Sequence, residues 1–410
     1  MGAAPAAARV RGRERLTDGT LLPVAEAQAR LLALARPVAT ETVSLAEAAG
    51  RWAADDVHAL RTQPAAALSA MDGYAIRHAD LPGPWTVIGE SAAGRPFAGA
   101  VGAGQATRIF TGAAMPDAAD TVLIQEEATR DGAALTLSGE GPPHPGANTR
   151  PRGLDFHEGR LLIEKGQRLT PARVAVAALA GHVATSVHRP VRVALAATGD
   201  ELSRDVSASP DKLPESNGVM LAAMFADLPV DLIDLGILPD DLASMRSTFA
   251  NIHADLLVTT GGASVGDHDL VRPALEAAGG TVDFWRIALR PGKPMMAGRL
   301  RGTLVLGLPG NPVSAFVTAL LFVRPAIARL AGAADPLPRT NTATLGEDLP
   351  ANGVRADYLR AEHRAGRVYA STIQDSSMLL TLARSTCLIV RPPHAPAAMA
   401  GDSAEILDLC

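Results

Sequence analysis

Four short phrases, each following an apolar run, hold the residues of this chain best suited to chemistry. They are Ala197-Thr198-Gly199-Asp200-Glu201, Gly236-Ile-Leu-Pro-Asp240-Asp241, Thr260-Gly261-Gly262-Ala263-Ser264-Val265-Gly266-Asp267-His268-Asp269 and Gly307-Leu-Pro309-Gly310-Asn311-Pro312. Glycine accepts φ > 0 and has no side chain to block approach, so the stretch from Thr260 to Gly266 could turn backbone N–H groups toward a phosphate. The helix expected after Pro312 starts with free N–H groups and a positive dipole end, a second anion seat. Any one such loop also reads as an ordinary tight turn. Four on one rim point to a site.

The carboxylates of Glu201, Asp241 and Asp269 would repel one another if they converged, unless a hard cation such as Mg²⁺ took them as oxygen ligands beside phosphate. Singly, each also reads as a helix cap, Asp240 and Asp241 most plainly. Positive charge comes from Arg286, Arg290 and Lys293, the last two within Arg290-Pro-Gly-Lys293-Pro. Arginine grips an oxyanion with a planar fork and lysine with a compact point charge. Of 38 basic residues only Lys165, Lys212 and Lys293 are lysine, so a retained lysine in this turn stands out. An exposed basic turn is the plainer alternative.

The elements that must position these phrases follow from hydrophobic periodicity. From about residue 190 the pattern alternates: strand at 191–195, helix at 219–226, strand at 230–235, helix at 242–252, strand at 255–259. It continues with helix at 270–278, a β-prone run at 282–287, strand at 303–306 and helix at 313–330. Alternating β and α elements predict a parallel sheet covered by helices, with the ligand crevice beyond the carboxyl ends of its strands. Residues 21–36 have helical spacing, Ser44-Leu-Ala-Glu47 matches a capping box, and 171–182 predicts a helix with proline in its first turn. Residues 62–150 have short β-prone runs between Gly, Pro and Asp, and β texture returns after Asp335-Pro-Leu-Pro338. Ser69-Ala-Met-Asp72-Gly73-Tyr74-Ala75 and Pro151-Arg152-Gly-Leu-Asp155, taken alone, read as turns.

Composition sets the outer limits. A chain of 410 residues with 47% hydrophobic content can bury several cores, which predicts an α/β plus β multidomain protein. The net charge of −5 and 3% aromatic content argue against nucleic acid as a partner. No run of about 18 uninterrupted apolar residues suggests a membrane span, and a cytoplasmic location is expected. Two cysteines, Cys387 and Cys410, offer neither a disulfide nor a metal framework. The predicted divisions are a tail at 1–18, a helical and extended region at 19–61 and 150–187, a β domain at 62–149, the α/β domain at 188–332 and a β domain at 333–410.

SAMDGYA at 69–75, FTGAAMP at 110–116, TGDEL at 198–202, SN at 216–217, GGASVGDHD at 261–269, RPGKP at 290–294 and GLPGNPVSA at 307–315 occur in one order. This set resembles the molybdopterin molybdenumtransferase family, which is related to the gephyrin E domain. The resemblance implies insertion of molybdate into adenylylated molybdopterin with release of AMP, dependent on Mg²⁺. It implies a homodimer with a helical and extended dimerisation region, an inserted β domain, a doubly wound molybdopterin-binding domain and a C-terminal β barrel, its active site built across subunits. The molybdopterin adenylyltransferase is a further partner that the resemblance suggests. Glu201, Asp241, Asp269 and Asp72 then fall at catalytic positions, the first three also as metal ligands. Thr111, Asp155, Gly261, Gly262, Ser264, Arg286, Arg290, Lys293, Pro309 and Pro312 fall at substrate positions, with Leu154 where a glutamate is usual. A molybdopterin-binding scaffold, a specialised paralogue and a tungstate-inserting enzyme are the alternatives.

Overall fold

The computed structural model describes residues 21–205, 207, 210–262 and 270–409. The described residues divide into a first unit, drawn from 21–41, 50–52 and 188–409, and a second, drawn from 42–49 and 53–187. The expectations for Ser264, Asp269 and the rest of 263–269, for the tail at 1–18 and for Cys410 fall outside the described residues.

The first unit is built on a six-stranded sheet. Its order is Val230–Leu238, Val191–Thr198, Leu256–Thr260, Thr303–Leu308, Pro294–Leu300 and Gly280–Arg286. The first four strands run parallel, and the last two turn back antiparallel. The apolar runs are nearly continuous because both faces are covered. Val193, Leu195, Leu256, Val258, Leu304 and Leu306 face one core, while Ala194, Ala196, Leu257 and Val305 face the other. The first core takes the helices Asn217–Phe225 and Pro312–Leu330, and the second takes Leu242–Ala250 and Val271–Ala277.

Two local features bear on the site. At Asp234/Gly236 the edge strand gains a residue against Leu195 and Ala196, and Gly236 takes φ of 74° there. Such a bulge needs a residue that tolerates the left-handed region, which glycine does without cost. The phrase beginning at Gly236 is therefore strand as far as Leu238, and its loop is shorter than its spelling suggests. Likewise Gly307 and Leu308 belong to a strand, and only Pro309–Asn311 form the turn before the helix. That helix passes through a π segment at Ala319–Val323 before Arg324–Leu330. Pro325 has no N–H for the preceding turn and its ring crowds the carbonyl four residues back, which accounts for the irregularity.

The C-terminal residues of this unit form a second sheet in the order Leu289–Arg290, Ala356–Arg364, Cys387–Arg391, Ser403–Asp408 and Asn341–Thr344, with Arg367–Ala370 paired to Ala356–Arg364. Cys387 is fully buried in its core, as its apolar run suggested.

The second unit contains a six-stranded sheet ordered Thr121–Ile124, Gly73–Ile76, Gln105–Ile109, Trp85–Ser91, Ala134–Leu137 and Ala128–Asp131. Ser44 caps Leu45–Ala48 with the reciprocal Glu47 bonds expected of a capping box. The SAMDGYA phrase, in contrast, bends only at 70–72: from Gly73 it is strand, and Gly73–Ile76 is fully buried between two neighbours. A Cβ at Gly73 would sit 2.0 Å from the Leu123 carbonyl oxygen. Glycine is there to let two backbones approach, a use that turn composition imitates.

Candidate functional site

The first strand of the parallel sheet, Val191–Thr198, has Val230–Leu238 on one side and Leu256–Thr260 on the other. Connections that leave a strand in opposite directions open a crevice between the loops that follow, the switch point of a doubly wound sheet. A cavity of about 670 Å³ lies there, bounded by the strand ends Thr198 and Thr260, by Gly261 and Gly262, and by Pro309 to Pro312. Its size suits a small molecule of cofactor dimensions.

Backbone demands shape its walls. Gly261 has φ of 84°, and a Cβ on it would fall 2.8 Å from both the carbonyl oxygen and Oγ1 of Thr198. Gly199 has φ of 135°, and a Cβ there would fall 2.4 Å from Glu201 Oε2. Glycine at 199 thus lets the Glu201 carboxylate fold back over its own turn to the cavity wall. The far wall comes from the pairing of Leu202–Ser203 with Leu213–Pro214, which brings in Glu215, Ser216 and Asn217. Asn217 Nδ2 donates to the Gly310 carbonyl at 2.8 Å and ties this wall to the last loop.

Of the residues nominated from sequence, Glu201, Gly261, Gly262, Pro309 and Pro312 line this cavity. Asp241 is not on its lining. It caps Leu242–Ala250, accepting the Ser244 N–H at 2.7 Å. Asp200 and Asp240 instead face each other across two loops, each accepting the other's backbone N–H at 3.2–3.4 Å. Arg290 is paired with the buried carboxylate of Asp357. Burial pushes the Asp357 carboxyl above its usual 3.8 although Arg290, Arg355 and Arg391 pull it down. Arg286 ends its strand opposite Pro294, a lining residue, and Lys293 is half-buried in the turn before it. The free N–H groups expected at the helix start are fewer than supposed. Pro312 has none, and Val313 N–H already donates to the Ser376 carbonyl at 3.2 Å.

Two contributors, Ser377 and Glu215, escaped the sequence reading. Ser377 reaches the cavity from a C-terminal loop held by Arg360, which is 1% exposed and donates to the carbonyls of Asp375 and Ile373. Burial lowers the Arg360 guanidinium below its usual range despite Asp375 nearby. Asn311 donates to Ser376 Oγ at 3.1 Å, closing the same corner. Glu215 is buried at the cavity wall, and its place after Leu213–Pro214 was the available signal.

The fit of a divalent cation can be judged on the donor set. Among the described residues no three His, Cys, Asp or Glu side chains form a metal-binding group. Glu201 at the wall fits Mg²⁺ nonetheless, because that ion is commonly held by one or two carboxylates with waters and substrate phosphates.

In the second unit Asp72 and Thr111 form a local pair. Asp72 Oδ1 accepts the Thr111 N–H at 2.7 Å and the Thr111 hydroxyl at 2.8 Å. These bonds, backbone first, hold the Asp72 carboxyl below its ordinary 3.8, with Arg108 adding to the effect. Arg108 lies over the rings of Tyr74 and Phe110 and donates to the Gly73 carbonyl at 3.1 Å. Asp155 is exposed, its N–H donated to the Gln63 carbonyl at 3.1 Å. Thr111→Val removes one of the two donors to Asp72, so the carboxyl should titrate closer to 3.8 without reaching it. A carbonyl-carbon NMR titration reads this, and an unmoved midpoint would show that the hydroxyl contributes nothing. The linked stability is present above the ordinary Asp value and is lost as pH falls through the lowered folded value. The variant narrows that window from below.

Comparison with known proteins agrees across the chain. Residues 22–181 match the family described as "MoeA N-terminal region (domain I and II)", residues 194–329 a "Probable molybdopterin binding domain", and residues 342–409 the "MoeA C-terminal region (domain IV)". The molybdopterin molybdenumtransferase of Haemophilus influenzae is 34% identical over 94% of this chain and 98% of its own length. That of Bacillus subtilis is 31% identical over 96% and 95%. The solved structure of the molybdopterin biosynthesis moeA protein of Pyrococcus horikoshii OT3 is similar, with a TM-score of 0.82 at 28% identity, covering 95% of this chain and all of that one. On these matches, which run almost end to end, the chain belongs to the molybdopterin molybdenumtransferases, enzymes of molybdenum cofactor biosynthesis.

Proposed function

We propose that this enzyme inserts molybdate into the dithiolene of adenylylated molybdopterin and releases AMP. The observation that carries the reading is the cavity at the switch point, which brings the Gly261-Gly262 turn and the Glu201 carboxylate to one space. The glycine turn receives the phosphate and adenylate side of the substrate through backbone that no Cβ obstructs. Water attacks the adenylyl phosphorus, the bond from that phosphorus to the bridging oxygen breaks, and AMP separates from the molybdopterin phosphate. Glu201 orients the attacking water, and it would hold Mg²⁺ with the assistance of Asp241 and Asp269. When bound, that ion supplies charge neutralisation on the phosphates.

Molybdate is the tetrahedral dianion to be placed by Arg286, Arg290 and Lys293. Lys293 carries most of this duty, because the Arg290 guanidinium is already engaged by Asp357. Ser264 joins the anion-binding loop, and Pro309 and Pro312 shape the turn beyond it. The sulfur ligands come from the pterin, in keeping with a chain whose Cys387 is buried, its thiol raised by that burial to about 11. Asp72, Thr111 and Asp155 act on the active site of a second subunit in a cytoplasmic homodimer. The parallel bridge between Leu345 and Val368 supports closure of the C-terminal sheet into a barrel. The test is reconstitution: product formed by the purified chain from adenylylated molybdopterin, Mg²⁺ and molybdate should activate an apo-molybdoenzyme. Product that fails to activate it, with substrate consumed, would contradict the insertion step.

A further inference from the structure

The cavity has one wall that cannot be an anion seat. Glu215 has a side chain only 1% exposed, yet it lines the space. Its Oε1 accepts the Gly218 N–H at 2.6 Å, whereas its Oε2 is buried without a hydrogen-bond donor. Arg204 Nε is 3.6 Å from Oε2, close enough for attraction and too far for a hydrogen bond. That guanidinium gives two bonds to Asp234 instead, at 2.7 and 2.9 Å. Beside Glu215 a second acceptor, Asn217 Oδ1, is also buried and unpartnered, because Asn217 spends its amide N–H on Gly310.

Buried acceptors without donors are costly, and at a cavity wall a ligand that brings donors would complete them. Backbone fixes the carboxylate. Glu215 N–H donates to the Ser203 carbonyl at 2.9 Å, and Gly218 leaves room for the carboxylate, since a Cβ there would fall 2.8 Å from Oε2. Phosphate groups and molybdate are anions at neutral pH and are repelled from this wall. Adenine offers an amino group next to a ring nitrogen that is itself an acceptor, so it matches poorly. A pterin carries an amino group next to a ring N–H, two donors side by side, which is the complement of a carboxylate.

We infer that Glu215, with Asn217 Oδ1, is the specificity-determining acceptor wall that reads the amino and ring N–H edge of the pterin. This assignment rests on the transferase reading above. It divides the cavity into a donor side at Gly261 and Gly262 for phosphate and an acceptor side for the pterin ring.

The test uses the full chain and three probes: hydroxymethylpterin, hydroxymethyllumazine and AMP, titrated separately by calorimetry. Lumazine replaces the pterin amino group by a carbonyl and so presents an acceptor to Glu215. The wild type should prefer the pterin to the lumazine by about 10- to 100-fold, the effect of losing a hydrogen bond to a buried charge and leaving an acceptor opposed. Glu215→Gln should weaken the pterin by at least about 10-fold and leave AMP within about twofold, with an unchanged circular dichroism spectrum as the check on folding. Equal wild-type affinity for the two rings overturns the assignment without any variant. So does wild-type pterin binding in a folded Glu215→Gln protein, or a wild type that takes AMP and neither ring. A wild type that binds neither AMP nor pterin defeats the transferase reading itself, and this inference with it.

Discussion

Replacing Glu201 by glutamine should lower AMP release by about 100-fold or more while leaving the first unit folded. The carboxylate lies on the cavity wall, folded back over Gly199. Its backbone carbonyl accepts the Leu213 N–H at 2.8 Å, a bond glutamine keeps. The substitution therefore removes a charge and, on the proposed mechanism, a metal-binding oxygen, at nearly constant shape. On the proposed mechanism, loss of water orientation and of Mg²⁺ would both act on the step that breaks the anhydride, so the fall should appear in kcat. Steady-state AMP release beside a thermal melt measures it. An unchanged rate in a folded variant removes Glu201 from the mechanism.

The second large effect is on folding. Gly73→Ala places a methyl 2.0 Å from the Leu123 carbonyl oxygen and 3.0 Å from Ile124 Cα, both backbone atoms in a paired strand. Neither can move without breaking ladder bonds, so the cost should be roughly 3 kcal/mol or more, at the upper end of overpacking penalties. In a unit of this size that corresponds to a fall of about 6–12 °C in its unfolding transition by calorimetry. Asp72 directly precedes Gly73, so its pairing with Thr111 should loosen in the same variant. A transition within about 1 °C of wild type would show that the strands do not pair as described.

The strands and helices around the site were legible because burial on both sheet faces forces long apolar runs, and four loops with glycine or acid at their ends could be counted from the spelling alone. What those loops do with their hydrogen bonds was not. Val313 spends its N–H on Ser376, and Arg290 its charge on Asp357, partners more than sixty residues away that no local pattern announces. Asp241 reads from sequence as a cap or as a metal ligand, and its Oδ1 does cap its helix. Gly73 misled for a different reason: glycine beside aspartate has the composition of a turn, and only a neighbouring strand at 2.0 Å explains it. Glu215 is the reverse case. A glutamate reads as surface until a two-residue pairing of Leu202–Ser203 with Leu213–Pro214 folds it inward.

The most direct measurement is AMP release by the purified chain from adenylylated molybdopterin and Mg²⁺, with molybdate present or withheld. The account predicts release that depends on molybdate and ceases when Mg²⁺ is chelated. Release at the same rate without molybdate, or tight binding of the adenylylated pterin with no AMP formed, would contradict it.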